Sequence, residues 1–116
     1  MNLQTILIFF IIAAVGGITM AVLVFKNKRR PILLVALHGI VALGGFGALV
    51  YYSGISFQTG HSKTPWGSLA FFSIAIAGGL LMFFRDKYMK VGIKKWMPLV
   101  HGSAALIGII LLLFAL

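Results

Sequence analysis

Apolar residues fall in four unbroken stretches along this chain, at 3–25, 32–52, 66–84 and 97–116, with short polar segments between them. At about 23, 21, 19 and 20 residues, each stretch is close to the roughly 20 needed to cross a hydrocarbon core as a helix. Very little chain is left to build anything outside a membrane. The pattern predicts an all-α integral membrane protein with a single transmembrane domain, 1–116, made as a four-transmembrane-helix bundle. The first stretch is expected to be retained in the mature protein. It lacks a basic leading segment, is too long for a signal peptide and shows no clear cleavage site before the charged loop.

The second half of the chain repeats the first. Placing 9–20 (FFIIAAVGGITM) over 71–82 (FFSIAIAGGLLM) gives seven identities in twelve positions. Placing 38–45 (HGIVALGG) over 101–108 (HGSAALIG) gives five in eight. The offset is 62 residues in the first alignment and 63 in the second, so the second copy gains one loop residue. Each copy holds two spans, about 3–52 and 66–116, and both copies therefore run the same way. That predicts two tandem similar helical hairpins, a parallel repeat about an axis along the membrane normal. The matched residues form stripes at helical spacing: Phe9, Ala13, Gly16 and Met20, with Phe71, Ala75, Gly78 and Met82 as partners. His38, Ala42 and Gly45 form another, matched by His101, Ala105 and Gly108. The stripes are read as the inside of the bundle, and the drifting Ile, Leu, Val and Phe positions as its lipid-facing outside.

Charge sets the orientation. The chain has ten Lys and Arg residues, one acidic residue and a net charge of +9. Lys26, Lys28, Arg29 and Arg30 lie in the first loop, and Arg85, Lys87, Lys90, Lys94 and Lys95 in the third. The middle loop has only Lys63. The positive-inside rule then puts loops one and three in the cytoplasm and both termini outside, in an inner or plasma membrane. Tyr51, Tyr52 and Trp66 are expected at the outer interface, Tyr88 and Trp96 at the inner one. Because these cations flank membrane spans and form no separate basic domain, they are assigned to topology and anionic lipid headgroups, not to nucleic acid. The absence of cysteine excludes disulfides, iron–sulfur ligation and covalent c-type haem.

Two histidines stand inside the apolar stretches, at equivalent positions of the repeat. Ionisable side chains are costly in hydrocarbon, and an intramembrane pair is a functional hypothesis by default. His38 lies eight residues from Arg30 and His101 six from Lys95, about 12 and 9 Å along a helix. The two imidazoles are thus expected near one level, on helices two and four. Were those helices diagonal, a flat macrocycle would fit between the rings with its iron bound axially by both. Gly39, Gly102, Ala42, Ala105, Gly45, Gly108, Gly16 and Gly78 are candidate positions leaving room for such a ring, with Phe9, Phe10, Phe71 and Phe72 packed further out. Arg29, Arg30, Lys94 and Lys95 are candidate partners for its propionates. Each imidazole would also need a carbonyl or hydroxyl to hold its ring N–H, which the sequence does not identify.

On these residues the chain resembles the membrane-embedded b-type cytochromes of the b561-like kind, four-helix bundles with paired histidines on facing helices. The resemblance covers the topology over the full length and, specifically, His38 and His101. It implies non-covalent haem b and electron transport. Those families carry more than two intramembrane histidines and often two haems, whereas this chain has enough for one. His61, in the outer loop and without a repeat partner, reads as a solvated residue. A single bis-histidine haem near the cytoplasmic side favours outer-sphere electron transfer over oxygen activation. Its partner would be a quinone or a redox protein.

Other readings stay open. Repeat-equivalent Met20 and Met82 would join the histidines in a soft copper(I) set, although methionine is also an ordinary flexible packing residue. A non-catalytic assembly or scaffold role would have the histidines bond across the bundle to hydroxyls such as Thr19 or Ser103. The paired glycines alone are explained by close helix packing. A small transporter of the multidrug-exporter kind lacks its intramembrane glutamate here, since the only acid is Asp86, read as a local ion pair in a basic loop, but a small transport protein with a histidine-based proton relay stays open. No hydrolase or transferase signature is present, and a homo-oligomer is neither required nor excluded.

Overall fold

The computed structural model describes residues 2–60 and 64–116. His61 and Lys63, read above as a solvated histidine and the middle loop's cation, lie outside the described residues. The elements run α1 (Leu3–Phe25), α2 (Ile32–Gln58), α3 (Trp66–Phe84), a π turn (Arg85–Met89) and α4 (Trp96–Ala115). All four α-helices are long and apolar enough to cross a membrane.

The helix ends follow from local chemistry. The Asn2 side chain caps α1 by accepting from the Thr5 N–H at 2.9 Å. At its other end Asn27 takes a left-handed φ of 56°, a conformation Asn adopts at low cost. The chain's three prolines all stand at helix starts: Pro31 and Pro65 immediately before α2 and α3, and Pro98 in the first turn of α4. There no intrahelical donor is lost. Helix α2 runs six residues past the predicted end at 52, reaching Gln58. Its buried stripe of Gly45, Leu49, Ser53 and Ser56 keeps helical spacing through that extension, and Gly60, at φ 74°, ends the turn that follows.

Helix α1 packs against α2 and α4, and α3 packs against α2 and α4. Among the described residues α2 and α4 therefore stand diagonally, as do α1 and α3. The two most extensive seams are those inside each hairpin, α1 with α2 and α3 with α4. The bundle measures 47 × 22 × 22 Å. At the end away from the basic loops, Leu3, Ile6, Leu7, Phe10, Leu49, Phe72 and Leu112 make one buried cluster. Its centre is a stacked pair, Phe10 on Phe72, with ring centroids 3.8 Å apart and planes 5° from parallel. The outward faces are apolar too, with Ile18, Leu33, Ile40 and Phe114 strongly exposed.

Among the described residues the basic end is tied by one ion pair, Arg30 to Asp86 at 3.0 Å. This pair is not local in the chain: it joins the first loop to the π turn across 56 residues. Lys87 lies 5.6 Å from the centroid of the Phe83 ring, a cation–π distance.

Phe72 is pinned by Phe10 on one face and has Gly108 against its edge. A Cβ at Gly108 would stand 2.9 Å from the Phe72 ring, whereas one at Gly44 or Gly47 meets nothing within 4 Å. Gly108→Ala should therefore destabilise the bundle by about 1–3 kcal/mol through overpacking. Gly44→Ala and Gly47→Ala should be near neutral, as read by thermal or denaturant unfolding in detergent.

Candidate functional site

The site is built from a helix backbone outward. In an α-helix the carbonyl of residue i points toward residues i+3 and i+4, whose side chains normally screen it. Around Ala13 these are Gly16 and Gly17, and around Ala75 they are Gly78 and Gly79. With no Cβ at either position, the carbonyl is open to a neighbouring helix, and that helix can approach closely. An imidazole fills the opening in each hairpin. His38 Nδ1 lies 2.8 Å from the Ala13 oxygen, and His101 Nδ1 lies 2.6 Å from the Ala75 oxygen. A carbonyl oxygen only accepts, so each Nδ1 carries the hydrogen and donates it. Each Nε2 is left with a lone pair. The hydroxyl partners considered from the sequence are not used: Thr19 Oγ1 donates to the Val15 carbonyl at 2.9 Å.

The glycines match between the hairpins almost to the tenth of an ångström. A Cβ at Gly16 would lie 3.7 Å from His38 Nδ1, and one at Gly78 would lie 3.8 Å from His101 Nδ1. At Gly17 and Gly79 it would meet the ring Cε1 at 3.1 Å in both cases. Gly17 and Gly79, absent from the sequence-derived site, thus touch the rings more tightly than Gly16 and Gly78. The signal for them was their place four residues after Ala13 and Ala75.

Both histidines are half-buried and face each other across the bundle from the diagonal helices. Their ring centroids are 6.1 Å apart, with planes at 72°. On the side away from the basic loops, the stacked Phe10 and Phe72 close the space between the helices. Phe10 and Phe72 were expected further out, and their central position comes from Gly45 and Gly108. A Cβ at Gly45 would meet Phe9 Cβ at 3.1 Å and the Phe10 ring at 3.5 Å, and the space beside Gly108 holds Phe72. Those two glycines admit phenylalanine rings. Gly39 and Gly102 border open space, with nothing within 4 Å. Ala42 and Ala105 are half-buried, one turn from the histidines. Toward the basic end, Met20 and Met82 are both buried. Arg29, Lys94 and Lys95 are exposed at that end, while Arg30 is held by Asp86.

A cavity of about 300 Å³ reaches His101 from the α3–α4 side, lined among others by Gly78, Met82, Trp96 and Met97. Comparison with family models, curated proteins and solved structures finds no match.

Each ring thus keeps one nitrogen lone pair unused by the backbone, and the two ring centroids are 6.1 Å apart. With metal–nitrogen bonds of about 2.0–2.1 Å, two imidazoles on opposite sides of one metal have their centroids about 6 Å apart. Among the described residues no group of three or more His, Cys, Asp or Glu is gathered. A bare ion between the histidines would lack a protein-derived coordination shell, whereas a macrocycle brings four equatorial nitrogens and needs only two axial ligands. The donor set therefore fits haem.

The carbonyl bonds depend on the glycine gap. Gly17→Val and Gly79→Val should each displace an imidazole and remove its Nδ1–H signal from the hydrogen-bonded region of a ¹⁵N-edited NMR spectrum. Gly39→Ala and Gly102→Ala should leave both signals in place.

Proposed function

We propose that this protein is a membrane-embedded b-type cytochrome holding one non-covalent haem between His38 and His101 and transferring electrons. The observation that carries this reading is the pair of diagonal imidazoles, 6.1 Å apart, each with Nδ1 engaged by a backbone carbonyl. Haem held there by His38 and His101 would supply one-electron exchange. The rest is the work of this chain's residues. The Ala13 and Ala75 carbonyls fix the tautomer and the ring orientation and raise the basicity of Nε2 as a ligand. Phe10 and Phe72 exclude water from one side. Arg29, Lys94 and Lys95 place positive charge at the end where propionates would emerge, and Asp86 holds Arg30 there. The b561-like resemblance points the same way, with a quinone or a redox protein as the electron-transfer partner.

The membrane reading rests on four apolar spans and on outward faces without charge. Near-equal histidine–glycine contacts at positions 62–63 residues apart support a tandem duplication of one hairpin. On this reading both termini lie outside and the basic loops in the cytoplasm. Because the chain has no cysteine, a single introduced one reports its own side. Lys28→Cys should label with an impermeant maleimide only after the cells are opened, and Thr59→Cys should label in intact cells.

The decisive experiment is the absorption spectrum of the detergent-purified protein, oxidised and then reduced with dithionite. A sharp Soret band with resolved α and β bands on reduction is expected. His38→Ala and His101→Ala should each lose most of that haem, to similar extents, while still inserting in the membrane. Full haem retention in the double variant would overturn the assignment.

One observation favours a second reading. His101, Met82 and Met97 line the same cavity, a soft donor set suited to copper(I). A colourless protein carrying stoichiometric copper by metal analysis would select it.

A further inference from the structure

The second hairpin departs from the first around one cavity. It holds about 300 Å³ and lies between α3 and α4, reaching His101. Part of its lining is common to both copies of the repeat: Ile74, Gly78, Met82 and His101 match Ile12, Gly16, Met20 and His38. The rest is particular to the second copy. Ala77 stands where the first hairpin has Val15, Val100 where it has Leu37, and Trp96 where it has Leu33. Two of these exchanges shorten a side chain, and the third brings in an indole. Space and a polar handle are thus added at the same place.

The mouth of the cavity and its chemistry narrow the choice of ligand. Ile74 and Val100, both part of the lining, are exposed on the outer faces of α3 and α4. On the membrane reading the opening faces lipid, and a ligand arrives from the bilayer. Aliphatic and methionine walls favour an apolar body. Trp96 adds a flat face and an N–H that only donates, at the basic end where the membrane interface lies. His101 offers no further N–H, because the Ala75 carbonyl already takes its Nδ1–H. The ligand is therefore expected to carry an acceptor oxygen on a planar, apolar frame. The volume is at the lower end of the roughly 300–1,000 Å³ of small-molecule sites, which suits a ring and not a whole lipid.

We propose that this cavity binds the ring of a membrane quinone entering from the leaflet on the basic side, with a quinone carbonyl accepting from the Trp96 indole. The choice of a redox-active ligand rests on the haem reading, because His101 both lines the cavity and belongs to the imidazole pair. The cavity itself does not rest on it. A phospholipid acyl chain would fill the apolar part but has no planar face for the indole. Each hairpin holds a histidine, and the second alone sets Ala77, Val100 and Trp96 beside it. The site is accordingly one per chain.

Trp96 reports on the cavity directly, since quinones quench tryptophan fluorescence. In the Trp66→Phe/His38→Ala chain it is the sole tryptophan, as the whole sequence has two. Losing His38 removes haem, itself a quencher, and leaves every lining residue in place. Titrating this chain in dodecyl maltoside with decyl-ubiquinone should give saturable quenching. In the Trp96→Phe/His38→Ala chain, Trp66 at the other end of the bundle should show only the linear quenching of quinone dissolved in the micelle. Adding Ala77→Val and Val100→Leu to the first chain should weaken the apparent affinity about ten-fold by refilling the cavity. The first hairpin carries these same residues, and thermal unfolding checks that the variant folds. Ala77→Val alone should act in the same direction, and serves if the double exchange unfolds. Linear quenching of Trp96 would overturn the proposal, as would equal affinity in the refilled chains. Relief of the quenching by equimolar phosphatidylcholine would mark an acyl-chain groove and overturn the quinone assignment. Saturable quenching alongside a colourless His38-containing chain would sink the haem reading and leave the site standing. A haem spectrum without saturable quenching would do the reverse.

Discussion

The structure depends on two hydrogen bonds from imidazole to helix backbone. A histidine in an apolar bundle is costly unless its polar atoms are satisfied, and here the satisfaction comes from a carbonyl already used once in its own helix. A carbonyl oxygen has a second lone pair, but reaching it requires that nothing screen it. Gly16 with Gly17, and Gly78 with Gly79, remove the two Cβ atoms that would stand in the way. The same absence lets the helices of each hairpin come close enough for the bond to form. Close packing and polar satisfaction are one arrangement, so neither glycine pair nor histidine makes structural sense alone.

That arrangement prepares a chemical asymmetry within each ring. With Nδ1 tied to its own hairpin, Nε2 is the atom left for something else, and the diagonal placement of α2 and α4 brings the two ring centroids to 6.1 Å from each other. On the proposed reading, that spacing is what a ligand shared by both rings would use. Phe10 and Phe72 cap the arrangement from one side, in close stacking that Gly45 and Gly108 make room for. The glycine and carbonyl contacts of the pair therefore occur twice, once in each hairpin. On the proposed reading, a ligand shared across the two hairpins would explain why the inner residues of the repeat match while the outer ones differ.

The departures from that symmetry are equally informative. Arg30 and Asp86 have no counterparts in the other hairpin: the equivalent positions are Ile93 and Val24. Their ion pair couples the two hairpins at the basic end. An exposed pair of this kind contributes about 0–1 kcal/mol, so its value is in placing Arg30, not in stability. At the opposite end Ser68 replaces an isoleucine, and the helix it begins has no cap. Both departures lie at the ends of the bundle, where its surroundings differ, and neither disturbs the paired centre.

Length and hydropathy determined the four helices, because a backbone in an apolar setting must satisfy itself within the segment. Their starts were legible to within a residue from where the apolar stretches begin. The end of α2 was not, since polar serines at 53 and 56 read as loop until a neighbouring helix buries them. The histidines and their equivalence were visible in the repeat, because a costly residue kept twice stands out against aliphatic positions that exchange freely. Their acceptors were hidden, since every residue has a carbonyl and only the crossing of two helices selects Ala13 and Ala75. The diagonal order, the central Phe10–Phe72 stack and the reach of Arg30 to Asp86 belong likewise to the tertiary structure. Sequence periodicity tells which residues share a face. Which faces meet, and at what height, is decided only when four helices pack around one axis.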